Sequence, residues 1–429
     1  KWLWRLDSVG NITDYQRSMR SLKRVSDFGT QATPLLDILQ APPHDISGDS
    51  ILCSPQGPVH THQHTSTSTN GLQLNASQRR AVEAALSQRI TLIHGPPGTG
   101  KTSVVCEVVT QAVRANIMRS RTGSGSSCIT RRMKTLVVAE TNIAVDNVLR
   151  RLLKTTDLVL LRLGNLSSVS SDLVYTTLEM QLRRRCRDAG REATFRVAGG
   201  GGTHRVVRDN RAAQKILNAA EVVFATCSGA GDPLLAKSSL LFDLVLLDEA
   251  TMSTEPSTLN ALVYGARQLV LIGDPQQLAP TLGLDYDIGR GLESASPQLV
   301  ELSTTLFHRL HDALNACFLD TQHRMHPGLA EFPSQEFYDG KLMSGVQAED
   351  RIPPDFPWPD RTRPLCFIDV RETTERRAGT SFANDGEVRA VVLVIRLLLE
   401  NGMEPRHISV LTPYTGQVRV ARQEFCDHG

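Results

Sequence analysis

From Leu74 onward, short unbroken apolar runs alternate with stretches of helical periodicity. The runs are ITLIH (90–94), TLVVAE (135–140), VVFATC (222–227), LVLLDE (244–249) and LVLIGD (269–274). Consecutive Val, Ile and Leu residues with no polar alternation suit strands covered on both faces. Such strands, separated by helices, predict a doubly wound α/β core with a parallel sheet. After about Gln322 a second α/β pattern begins: strand LCFIDV (365–370), a helix over 385–400 and strand ISVLTP (408–413).

The ends and interruptions of this pattern set the organisation. Residues 12–26 place Ile12, Tyr15, Met19, Leu22 and Val25 on one helical stripe. Thr33 to Gln40 reads as a second short helix, with Thr33 as N-cap and Pro34 at its first position. Residues 41–71 are rich in Pro, Ser, Thr and His and read as a linker. Its alternating His60, His62 and His64 have no Cys or carboxylate cluster nearby, which favours a solvated linker over a metal site. Residues 165–216 interrupt the α/β pattern; between Arg183 and Lys215 ten Arg/Lys face three Asp/Glu, beside the tetraglycine 199–202. This is read as an Arg-rich insertion. The expected division is a helical and linker segment over 1–73, a first lobe over 74–321 and a second lobe over 322–429.

Composition narrows the class without naming the chemistry. At 429 residues the chain suits two or three domains. A hydrophobic share of 40% with 21% charged residues is that of a soluble globular protein. The net charge of +2 argues neither for nor against a nucleic-acid partner. Eight cysteines occur singly, with no C-x-x-C pair, so reduced thiols in a cytoplasmic or nuclear protein are expected. No run of 18 apolar residues and no signal-peptide pattern occurs, so no membrane partner is expected. The first residue is Lys1 rather than Met, which suggests a piece of a longer polypeptide.

The sharpest chemical signal is IHGPPGTGKTS. Gly95, Pro96, Pro97, Gly98, Thr99, Gly100, Lys101 and Thr102 form a P-loop between a strand and a helix expected over Ser103–Arg114. Glycines let backbone N–H groups close around phosphate oxygens, Lys101 reaches the β- and γ-phosphates, and the Thr102 hydroxyl suits Mg2+. The following helix directs its positive end at the anion. LFDLVLLDEAT then ends an apolar strand in Asp248 and Glu249. The first carboxylate can hold Mg2+ and the second can orient or deprotonate water. Together these motifs predict nucleoside triphosphate hydrolysis. LVLIGDPQQLAPT adds Asp274, Gln276 and Gln277 on a polar loop, where a Gln amide can report the γ-phosphate. Finally, DTQHRMHPGLAEFP (320–333) sets His323 and His326 on either side of Arg324. A half metal site, an anion sensor and an ordinary helix start are the three readings. No second ligand pair supports the metal, and Met325, His326 and Pro327 are read as the turn and helix start that aim Arg324.

Taken in order, these motifs resemble the superfamily 1B helicases, in the group of the up-frameshift and immunoglobulin-mu-binding helicases. The matching stretches are LNASQ (74–78), GPPGTGKT (95–102), TNIAVDNV (141–148), ATCSGAGD (225–232), DEAT (248–251), GDPQQLAPT (273–281), QHRMHP (322–327) and LTPYTGQ (411–417). The resemblance implies two RecA-like P-loop lobes, with ATP and Mg2+ as ligands and single-stranded RNA or DNA as partner. It implies that Gln78 reads the adenine edge, that Gln277 senses the γ-phosphate and that Arg324 reaches it from the second lobe. Asn142 and Thr226 from the first lobe, and Thr412, Pro413 and Gln417 from the second, would contact the strand. The Arg-rich 165–216 segment falls where relatives carry an insertion lying near the nucleic acid. The expected activity is an ATP-dependent helicase or translocase; the alternative is a P-loop ATPase switch or nucleic-acid-binding module without unwinding.

Three departures stand out. Glu140 and Thr141 replace the Pro-Ser of relatives, putting an acid beside Asn142. His323 stands where relatives place a tyrosine over the adenine, so its ring is the candidate stack. The last two motifs of the family, including a second catalytic arginine, are expected after residue 420, yet the chain ends at Gly429. The second lobe is therefore expected to be truncated, and the 429 residues alone to bind ATP but hydrolyse it poorly.

Overall fold

In the computed structural model the seven apolar strands of the first unit form one wholly parallel sheet. The structure describes residues 12–31, 34–41, 73–122, 134–188, 210–238, 240–281, 303–311, 313–360, 362–371 and 373–428. The strands are β1 (Ile90–His94), β2 (Thr135–Ala139), β3 (Leu160–Arg162), β4 (Val222–Thr226), β5 (Leu244–Asp248), β6 (Gln268–Gly273) and β7 (Cys317–Phe318). Their order is β3-β4-β2-β5-β6-β1-β7, and every pairing is parallel.

Successive strand residues enter different cores, as the two-residue period requires. Leu92, Leu136, Val138, Val223, Val245 and Leu271 join one apolar cluster with the helix Asn210–Ala219. Ile93, Val137, Phe224, Leu246 and Ile272 join another with the helices Ala76–Ser87, Lys101–Thr122 and Asn142–Thr155. Both faces are therefore covered, which is why these strands need no polar alternation. Leu246 is fully buried, and truncating it to Ala should cost about 2–5 kcal/mol.

Three regions differ from the sequence expectation. The helix Ile12–Phe28 forms, but of its apolar stripe Val25 packs on the main core while Tyr15 is 65% exposed, and Met19 and Leu22 are exposed too. Polar groups add to that docking. Arg17 donates to Ser228 and Asp232, the Ser21 hydroxyl donates to Asn260, and the Arg24 guanidinium lies 5.6 Å from the Tyr264 ring centre. The next helix spans only Leu36–Gln40, with Leu35 in the capping place and no side-chain cap. Pro34 lies in the turn before it, and Thr33 lies outside the described residues. The described flanks of the 165–216 segment are part of the core. Leu178 and Leu182 of the helix Leu178–Asp188 pack with Ala213, Ile216 and Leu217 in the same cluster as the sheet. The tetraglycine 199–202 and the histidines 60, 62 and 64 lie outside the described residues.

The chain divides into two compact units, Lys1–Thr321 and Gln322–Gly429. In the second, the helix Pro327–Phe337 precedes the short strand β9 (Met343–Ser344), which pairs with β8 (Thr321–Gln322). An antiparallel hairpin of β10 (Arg376–Ala378) and β11 (Ser381–Ala383) leads into the helix Asp385–Glu400, and the helix Thr415–His428 follows. Val388, Val392 and Ala421 form its small core. The helix at 385–400 appears as expected, but the strands expected at 365–370 and 408–413 do not. A strand exists only through a ladder partner. Neither segment has one among the described residues, and Phe367 and Leu411 stand 89% and 93% exposed.

Candidate nucleotide and strand-contact site

Parallel strands with matched ends bring the motif loops to one edge. His94 lies level with Gly273, and Ala139 lies level with both Asp248 and Thr226. The residues that follow these strands, Gly95, Glu140, Cys227, Glu249 and Asp274, thus share the carboxyl edge of the sheet. In α/β sheets that edge is where ligands bind.

The P-loop is held by a neighbouring strand and by one of its own side chains. Gly95 N–H donates to the Gly273 carbonyl at 2.9 Å, and the Thr99 hydroxyl donates to the Pro96 carbonyl at 2.7 Å. Gly98 and Gly100 take φ of 76° and 83°, where side chains are strained. At Gly100 a Cβ would also lie 2.6 Å from the Gln78 amide nitrogen, which would have to shift. Lys101 opens the helix Lys101–Thr122, two residues earlier than expected, with Thr102 half-buried beside it. The Lys101 Nζ donates to the Gly95 carbonyl at 2.8 Å and lies 3.8 Å from Glu249 Oε1. The ammonium is thereby folded over the loop it would serve.

The two acidic residues sit in different surroundings. Asp248 is buried at the end of β5, and its carboxyl is pushed up to about 7. Burial is the main cause, the Glu249 charge adds to it, and Lys101 opposes it. Glu249 is half-buried and adopts a left-handed backbone at φ 52°. For a side chain other than glycine that conformation is uncommon and marks functional turns.

Gln277 is held from below. Its Nε2 donates to Asp274 Oδ2 at 2.5 Å, while the Gln276 N–H donates to Asp274 Oδ1 at 3.1 Å. Asp274 is fully buried, and His94 Nε2 lies 3.1 Å from its Oδ1. Gln78 is likewise built in: its Oε1 accepts from Asn75 N–H at 3.0 Å in a capping box. Its Nε2 donates to the Thr99 carbonyl at 2.9 Å. One amide therefore ties the helix Ala76–Ser87 to the P-loop.

Farther along the edge, Asn142 begins the helix Asn142–Thr155, capped by the Thr141 hydroxyl. Its Oδ1 accepts from Arg162 Nη2 at 2.7 Å. Thr226 ends β4, and its hydroxyl oxygen accepts from the Gly229 N–H at 3.0 Å. Glu140, the acid that departs from the family pattern, accepts from the Ser253 hydroxyl through Oε2 at 2.9 Å. That bond ties it to the turn after Glu249.

In the second unit, Arg324 is exposed, and among the described residues its guanidinium has no hydrogen bond or ion pair. Its backbone is fixed instead: Arg324 N–H donates to Gln322 Oε1 at 2.8 Å, and its carbonyl accepts from Arg351 Nε at 3.0 Å. His323 is exposed, with its carbonyl held by Arg351. His326 caps the helix Pro327–Phe337, its Nδ1 accepting from the Gly328 N–H at 3.0 Å, and Pro327 takes the first helical position. That is the helix start read from the sequence. Thr412 is half-buried and Pro413 exposed. Gln417 is buried, with Oε1 accepting from Asn384 N–H at 2.7 Å and Nε2 donating to the Asn384 carbonyl at 3.2 Å. Its amide binds the hairpin to the helix Thr415–His428 and does not face an open surface.

Comparison with known proteins places this arrangement. Two AAA-domain family models match the chain, one over residues 73–199 and 202–283, the other over 302–428. The chain is 34% identical to ATP-dependent helicase upf1 of Schizosaccharomyces pombe over 425 residues, 96% of this chain and 43% of that protein. It is 32% identical to the regulator of nonsense transcripts 1 homolog of Drosophila melanogaster, covering 96% of this chain and 33% of that protein. It is 35% identical to ATP-dependent helicase NAM7 of Saccharomyces cerevisiae, covering 81% and 34%. The chain belongs to the Upf1-like superfamily 1 helicases. It spans less than half the length of each of these relatives.

Within this Upf1-like chain, sequence reading missed the supports behind the motif residues. His94 beneath Asp274, Ser253 beside Glu140 and Arg162 behind Asn142 lie outside the matching stretches, and Asp146, though inside TNIAVDNV, has no role assigned there. One signal was available: Arg162 is a lone charge inside the apolar run LVLLRL (158–163). An arginine in a buried strand must have a buried acceptor.

Proposed function

We propose that this chain is the motor portion of an ATP-dependent nucleic-acid helicase or translocase that acts on single-stranded RNA or DNA. The carrying observation is the single sheet edge on which the P-loop, Asp248–Glu249, Gln277, Asn142 and Thr226 all emerge. Nucleotide and strand loops borne on adjacent strands of one rigid sheet can exchange free energy through it. Family membership supports the same reading.

In this mechanism the loop N–H groups of residues 98–101 take the phosphates, and Lys101 leaves the Gly95 carbonyl for the β- and γ-phosphate oxygens. Glu249 orients and deprotonates the attacking water, and the Gln277 amide stands over the terminal phosphate. By the family resemblance, the exposed Arg324 is the second unit's candidate for positive charge at that phosphate, and the exposed His323 ring its candidate for the adenine. The donor set fits Mg2+: a hydroxyl and a carboxylate are hard oxygen ligands. The buried Asp248, raised to about 7, is a carboxylate that a cation would return to its charged form. Thr102 and Asp248 would hold the ion, which would supply charge neutralisation at the phosphate oxygens. Asn142, Thr226, Thr412 and Pro413 grip the strand, and Gln417 supports that grip by anchoring its loop. Hydrolysis changes which contacts are favoured, shifting the population between gripping states.

The test is nucleotide-dependent strand binding. Affinity for a labelled oligonucleotide, RNA or DNA, should differ several-fold between the nucleotide-free protein and protein saturated with a non-hydrolysable ATP analogue. Lys101→Ala should erase that difference. Strand affinity that ignores the nucleotide would leave an ATPase without a motor.

A further inference from the structure

Asn142 is the proposed strand contact nearest the centre of the sheet edge, and what it can offer a ligand depends on how its amide is turned. Behind it stands Arg162, the last residue of β3, whose side chain is fully buried. All three guanidinium nitrogens are engaged. Nε donates to Asp146 Oδ1 at 3.0 Å, Nη1 donates to the Leu163 carbonyl at 2.5 Å, and Nη2 donates to Asn142 Oδ1 at 2.7 Å. Asp146 is itself buried, and its other oxygen accepts from the Ser170 N–H at 2.8 Å. The chain bends closely around the guanidinium: at Gly164, with φ of 154°, a Cβ would lie 3.2 Å from Arg162 Nη1.

A guanidinium carries only donors, so the amide atom that meets Nη2 has to be the oxygen. The NH2 of Asn142 is then turned the other way. We infer that Arg162, clamped by Asp146, is a positioning residue that fixes the Asn142 amide so that it presents only N–H donors to the strand. The inference rests on the strand-binding reading above and sharpens it. The group that Asn142 meets is an acceptor oxygen of the backbone, phosphate or sugar, and Asn142 gives no acceptor for a base amino group. Contact of that kind is indifferent to sequence, as a translocating protein needs. Arg162 itself touches no strand. A lysine there would keep one charge for Asp146 but lose the planar fork that reaches Asp146, Leu163 and Asn142 together.

Two measurements separate this from the reading beneath it. The first needs no ligand. Asn142→Asp puts a carboxylate oxygen where Oδ1 accepts, so chemical denaturation at pH 7.5 should show a midpoint equal to or above that of the unmodified protein. The gain should begin to fall as pH drops below about 4, where an ordinary aspartate protonates, and be lost once the Arg162-paired carboxyl itself takes a proton. A clearly lowered midpoint at pH 7.5 overturns the assigned orientation.

The second is anisotropy titration of a labelled oligouridylate. Asn142→Asp should weaken binding by at least about tenfold, since it loses a hydrogen bond to a charged acceptor and gains repulsion. Arg162→Lys should weaken it several-fold while leaving affinity for an ATP analogue unmoved, a split that general loosening of the fold does not produce. Unchanged strand affinity in Asn142→Asp overturns the inference. Failure of the unmodified protein to bind any strand, RNA or DNA, sinks the strand reading itself and removes the inference's ligand. The denaturation result would still show which way the amide faces.

Discussion

Arg162 and Arg324 mark the contrast between the two units. In the first, four candidate side chains rest on partners, Lys101 on Gly95, Gln277 on Asp274, Gln78 on Thr99 and Asn142 on Arg162, and in the second Gln417 is likewise braced, on Asn384. In the second, Arg324, His323 and Pro413 are exposed, and the bonds that fix the QHRMHP stretch run through backbone and caps. The difference follows from core size. A seven-stranded sheet covered on both faces gives polar residues a rigid floor to be braced against. The second unit's core of Val388, Val392 and Ala421 gives little. Pre-arranged groups bind with less loss of conformational freedom, and exposed ones are ordered only on contact.

The contrast breaks most visibly if the two arginines are exchanged for neutral residues. Arg162→Met leaves Asp146 buried and unpaired, which should cost about 3–5 kcal/mol in a denaturant titration. Arg324→Ala should stay within about 0.5 kcal/mol of the unmodified protein. Equal losses would show that burial does not distinguish them.

Next in size is the Asp248 linkage. A carboxyl near 7 in the folded state, against an ordinary 3.8, binds its proton more tightly folded than unfolded. Its contribution to stability is therefore most favourable below about pH 4, declines as pH rises toward 7 and stays low above that. Asp248→Asn removes the decline, so in nucleotide-free protein it should raise the midpoint at pH 8 and barely change it at pH 4. The ceiling is a few kcal/mol, at about 1.4 kcal/mol per pKa unit. A midpoint unchanged at pH 8 would show that Asp248 is not held in the neutral form by burial.

Gly100→Ala, forced into a left-handed backbone and onto the Gln78 amide, should cost about 1–3 kcal/mol and abolish binding of a fluorescent ATP analogue. A smaller loss than this is expected in the second unit. His326→Ala removes a helix cap worth about 1 kcal/mol and should leave ATP-analogue affinity untouched.

What could be read from sequence follows the same division. The five runs between 90 and 274 became strands with ends within a residue or so of those expected, because both faces of each are buried and composition alone records that. P-loop and DEAT chemistry was legible because its residues are contiguous. Pairings between distant segments were not. Nothing near Asn142 points to Arg162, twenty residues on, and nothing in LTPYTGQ reveals that Gln417 turns inward to Asn384. The runs LCFIDV and ISVLTP have strand composition but no ladder partner among the described residues, and apolar composition cannot create one. The stripe on the helix Ile12–Phe28 held at Val25 but not at Tyr15, Met19 and Leu22, which are exposed, and Arg17 and Ser21 supply polar docking.

The central claim, that one sheet edge couples nucleotide to strand, is tested most directly by ATP hydrolysis with and without single-stranded RNA or DNA. The measurement belongs to the protein carrying these 429 residues. One of the two strands should raise the rate at least several-fold, and Lys101→Ala should lose that rise. A rate indifferent to both strands, in protein that binds ATP, would contradict that claim.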